Sequence, residues 1–208
     1  MTRHLPALAL LTLQVACGPA DPSPSPSPTG SPDPCATAPS QYGKAIAGSW
    51  IPACSLAQDI YNDPASALGP PDAAGSGPAA FTGFVSLGFG GHVTVDLGGC
   101  ISDVPGPDLR VYQAVSSEEV SVYVSLLREG PFTLVEARKG CGEPYSGIRR
   151  SCDFDIASGG VTRARYVRVE DGELFPCPGG TVSEGADLDA VEALGAARSV
   201  HEAVLPSE

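Results

Sequence analysis

Glu119-Val120-Ser121-Val122-Tyr123-Val124 alternates apolar and polar side chains without a break. In an extended chain, side chains two apart share a face, so this run buries its valines and turns its polar groups outward. The same period of two recurs upstream at residues 92–97 and 108–113. Downstream it returns at 132–136, 152–156 and 165–170. Gly, Pro and Asp punctuate the intervals between these runs. Short strands at this density, with no convincing helix between them, predict an all-β fold, an antiparallel β-sandwich.

One later segment is less simple. Asp187-Leu188-Asp189-Ala190-Val191-Glu192-Ala193-Leu194 places apolar residues at 188, 191 and 194, a helical spacing. It reads equally as a strand with one carboxylate-bearing face, and periodicity alone does not separate the two.

Working back toward the N-terminus, the strand-like pattern begins near Tyr42. Before it, residues 21–34 read DPSPSPSPTGSPDP. Proline at nearly every second position removes the donors that helix and sheet require, so this stretch is extended and polyproline-like. It reaches roughly 40 Å at about 3.1 Å per residue, which suits a stalk. Further back, residues 5–16 form an apolar run after Arg3 and His4, too short to cross a bilayer as a helix. The run reads as a secretion signal ending at Val15-Ala16-Cys17-Gly18, which resembles a lipoprotein box with Cys17 as the lipidated residue. Gln14 stands where such boxes usually carry Leu. The expected organisation is a signal peptide over 1–16, a stalk over 17–41, a sandwich over 42–196 and a tail over 197–208. The expected location is the cell envelope, lipid-anchored at the outer membrane or cell surface.

The cysteines agree with export. Of the seven, Cys17 is set aside, leaving Cys35, Cys54, Cys100, Cys141, Cys152 and Cys177, an even set for disulfides in an oxidising compartment. Sequence alone leaves about 15 pairings open. The expected set is Cys141–Cys152, closing a short polar loop, and Cys35–Cys54, pinning the entry to the domain, with Cys100–Cys177 by exclusion. No C-x-x-C pair and no neighbouring His supports a zinc site.

With 24 Asp and Glu against 12 Lys and Arg, the chain carries a net charge of −12. That balance argues against nucleic acid or an anionic lipid surface as a partner and makes a cation the more natural guest, or else serves only to keep an exported protein soluble. No nucleophile elbow, H-E-x-x-H, phosphate loop or dinucleotide fingerprint is present. The histidines beyond the signal run, His92 and His201, sit in no catalytic context. The chain therefore reads as non-catalytic. Asp63, Asp72, Asp187, Asp189 and Glu192 offer the hard oxygen ligands that Ca²⁺ prefers, or else serve as turn formers and solvated acids. Tyr145, Arg149 and Arg150, inside the Cys141–Cys152 loop, form a candidate ligand platform, or else a solvated surface. Trp50, the only tryptophan, reads as a core residue.

An ordered set of phrases adds to this reading. Residues 62–72 read NDPASALGPPD and 84–91 read FVSLGFGG. After them come GPDLRVY at 106–112, ARYVRV at 164–169 and DLDAVEAL at 187–194. The set resembles a family of bacterial cell-surface domains akin to the discoidin, or galactose-binding-like, jelly rolls, over about residues 42–194. The resemblance implies that 187–194 is a strand. It also implies that an early loop and the last strand meet around a structural calcium, carried over to Asp72 and Glu192 with Asp63, Asp187 and Asp189 as neighbours. The expected function is a surface-exposed lipoprotein module for binding or adhesion, calcium-stabilised and carbohydrate-binding. The alternative is a structural envelope lipoprotein that contacts other proteins without a small ligand.

Overall fold

A computed structural model describes residues 33–52, 61–75, 81–115, 117–172 and 185–195. Cys17, Cys54 and Cys177 lie outside the described residues. Among the described residues ten strands appear: β1 (Ala45–Trp50), β2 (Val85–Ser86), β3 (His92–Ser102), β4 (Leu109–Ala114) and β5 (Glu119–Ser125). They continue with β6 (Thr133–Gly140), β7 (Glu143–Ser146), β8 (Arg149–Phe154), β9 (Arg163–Asp171) and β10 (Asp187–Ala193). Two five-stranded sheets result, in the orders β1-β3-β9-β5-β6 and β2-β10-β4-β8-β7. Every pairing is antiparallel, so the protein is an antiparallel β-sandwich.

Alternation explains the register. In the first sheet Val93, Val169 and Val122 stand opposite one another across three strands, as do Val95, Val167 and Val124. In the second sheet Val191, Val111 and Cys152 form one row, and Ala193, Leu109 and Phe154 another. These rows belong to one buried cluster between the sheets. A one-residue slip in any strand would turn its row out to solvent, so burial holds the register. The 187–194 segment, open to two readings by periodicity, is a strand over Asp187–Ala193. A bulge between Leu188 and Ala190 accounts for its irregular spacing of apolar residues.

Three expectations change. Cys35 is bonded to Cys100, which replaces both the Cys35–Cys54 and the Cys100–Cys177 pairings; Cys141–Cys152 forms as expected. The reason is a close approach. A Cβ on Gly99 would lie 2.2 Å from the Thr37 carbonyl oxygen, so only glycine lets the entry segment lie against β3 beside Cys100. Residues 34–41, assigned from sequence to the stalk, accordingly contact the domain. Ser40 N–H donates to the Leu97 carbonyl and Arg165 to that of Pro34. Finally, Trp50 is not a core residue but 56% exposed. It ends an edge strand directly opposite His92, with the two ring centres 6.3 Å apart.

Candidate functional site

The second sheet turns Arg110 and Tyr112 of β4, Glu192 of β10, and Ser151 and Asp153 of β8 away from the inter-sheet core. Each alternates with a core residue and faces a like-oriented partner across the strands. Arg110 grips Asp153 with two hydrogen bonds, Nε to Oδ1 at 2.5 Å and an amino group to Oδ2 at 2.8 Å. This fork raises the Arg110 pKa further, so the guanidinium stays charged throughout. Lys139 of β6 donates to Glu136 Oε2 at 2.9 Å and to the Asp153 carbonyl at 2.7 Å. Its ammonium also sits 4.9 Å above the Phe154 ring.

Tyr145 stands on β7, inside the loop closed by Cys141–Cys152, which is a β7–β8 hairpin and not an irregular loop. Its ring meets Tyr112 edge-on, centres 4.8 Å apart, and the Arg149 guanidinium lies 5.6 Å from its centre. Together Arg110, Lys139, Gly142, Tyr145, Ser151 and Asp153 line most of an open cavity of about 700 Å³.

Of the expected ligand platform, Tyr145 borders this cavity. Arg149 instead donates to the Pro71 carbonyl, and Arg150 to the carbonyls of Gly147 and Arg149. Arg110, Lys139, Ser151 and Asp153 were missed from sequence. A signal existed for two of them, since the alternating runs at 108–113 and 152–156 turn Arg110 and Asp153 outward with opposite charges. Their pairing depends on register, which no local pattern carries.

The five expected calcium ligands are divided among several roles. Asp189, 1% exposed, accepts the backbone N–H groups of Asp72 at 2.9 Å and Ala73 at 3.2 Å through Oδ1. Its Oδ2 is buried without a hydrogen-bond partner among the described residues. Burial pushes the Asp189 pKa up to about 6, against the opposing pull of those two N–H groups. The Asp72 carboxylate packs over Gly83, where a Cβ would lie 2.5 Å from Oδ1. Glu192 accepts Tyr112 O–H at 2.6 Å and the Gln41 amide at 3.0 Å, which occupies both its oxygens. Asp63 caps a 3₁₀ turn by accepting Ala65 N–H. Asp187 receives a hydrogen bond from Ser86, yet burial and the nearby Glu118 carboxylate push its pKa up to about 7.

Asp189 Oδ2 and the Asp72 carboxylate are hard oxygen donors of the kind calcium takes, and are the residues that would hold such an ion. Glu192 does not fit that role as it stands. A separate carboxylate trio, Asp103, Asp108 and Asp155, gathers among the described residues. Both Asp108 oxygens there are already accepting, from Val104 and Ile156 N–H.

No family model and no curated protein matches the chain. Among solved structures, the chain is similar to one described as CpGH89CBM32-6 produced by Clostridium perfringens. The likeness covers 54% of this chain and 74% of that one at 15% identity, with a TM-score of 0.33.

Proposed function

We propose that the protein is a non-catalytic, exported binding module, tethered by lipid at Cys17, whose carbohydrate-binding face is ordered by a structural calcium. The observation that carries this reading is a continuous chain of contacts. Asp189 holds the backbone of Asp72 and Ala73, and the neighbouring Pro71 carbonyl accepts Arg149. Arg149 in turn lies against the Tyr145 ring. A cation on Asp189 Oδ2 and Asp72 would neutralise a buried carboxylate and stiffen the loop that buttresses the exposed aromatic.

Binding is supported by the state of the charged groups: Arg110 pairs with Asp153 and Lys139 with Glu136, which fixes hydrogen-bonding groups on the cavity wall. The two disulfides are those of an oxidising compartment, consistent with export. A glycan array probed in calcium and in chelator tests the reading. Selective binding that chelator weakens supports it; silence in both conditions favours the alternative, an envelope protein that makes protein contacts only.

A further inference from the structure

We infer that the cavity on the outer face of the second sheet is the ligand site, and that it takes a neutral saccharide. This rests on the reading of the chain as a binding module.

The lining suits polyhydroxylated rings for three reasons. First, donors and acceptors stand side by side. The Arg110 N–H groups and the Asp153 oxygens lie within 2.8 Å of one another, and Ser151 adds a hydroxyl that can do both. A sugar hydroxyl both donates and accepts, so adjacent hydroxyls can bridge such a pair, while a simple anion or cation engages only half of it. Second, charge is cancelled locally. Arg110 faces Asp153 and Lys139 faces Glu136, so neither cation of the lining is left as an unpaired charge to hold an anionic ligand. Third, Tyr145 is 48% exposed yet held by Tyr112 and Arg149. It offers apolar ring surface for the C–H face of a sugar at little entropic cost.

The volume of about 700 Å³ suits a short oligosaccharide. The Cys141–Cys152 bond ties together the two ends of the hairpin that carries Tyr145 and Ser151, so the wall is preorganised. Gly142 completes the site in a way that makes it testable. A Cβ there would meet no atom within 4 Å, so a side chain can be added without disturbing the packing.

The test is titration calorimetry of the full mature chain with neutral hexose- and N-acetylhexosamine-terminated oligosaccharides and with uronate-terminated counterparts. Wild type is expected to bind a neutral member. Tyr145→Ala and Gly142→Trp are each expected to weaken it about tenfold, Gly142→Trp with an unchanged melting temperature. If wild type binds neutral sugar and both variants bind it equally well, this site is wrong while the binding-module reading survives. If only uronates bind, the neutral assignment is overturned. If wild type binds no saccharide of either kind, site and module reading fall together.

Discussion

Asp189 Oδ1 accepts the backbone N–H of Asp72 at 2.9 Å, joining β10 to a loop 117 residues earlier, while Oδ2 is buried with no hydrogen-bond partner among the described residues. A cation bound there would neutralise this buried carboxylate, as proposed above. Calcium bound only by the folded state adds about 2.7 kcal/mol when its free concentration is about 100-fold above Kd. In a domain of this size chelator should then lower the melting temperature by roughly 5–10 °C under non-reducing conditions. Asp189→Asn keeps the acceptor for the loop and should abolish that shift. Identical melts of the wild type with and without chelator would remove calcium from the account.

The same carboxylates set a pH dependence. Asp187 and Asp189 titrate at about 7 and about 6 in the folded chain, against about 4 when unfolded. Between pH 4 and 7 the folded state therefore holds protons that the unfolded state has released. Stability from these groups must fall as pH rises through that window. His92 acts in the opposite sense, because burial and Arg168 lower its pKa. The comparison of wild type with Asp187→Asn isolates the acid: in chelator, the variant should gain stability over wild type as pH rises from 4 to 8. Urea midpoints that diverge in the other direction would contradict the assignment.

With Cys17 set aside for lipidation, pairing of Cys35 with Cys100 and of Cys141 with Cys152 leaves Cys54 and Cys177, which lie outside the described residues, as the third pair expected by exclusion. Non-reducing peptide mapping should recover a Cys54–Cys177 peptide and no Cys35–Cys54 peptide. Thiol titration of the unfolded, unreduced protein should find no free cysteine.

Cys17→Ser should release the protein from the membrane fraction or block its processing. Anchoring that persists unchanged in the variant would defeat the lipid tether.

The alternation in runs such as 119–124 was enough to predict strands and a sandwich, because a side chain's face follows from its own position in an extended chain. The nearby Cys141–Cys152 bond was legible for a similar reason: only 11 residues separate its ends. Tertiary structure decided the rest. Gly99 admits the entry segment beside Cys100, the edge position of β1 leaves Trp50 in solvent, and Tyr112 with Gln41 takes up Glu192. The cavity pair Arg110 and Asp153 meets only through the register of β4 on β8. Local spacing encodes which way a residue points; which distant residue it meets is set by how strands pair and sheets stack.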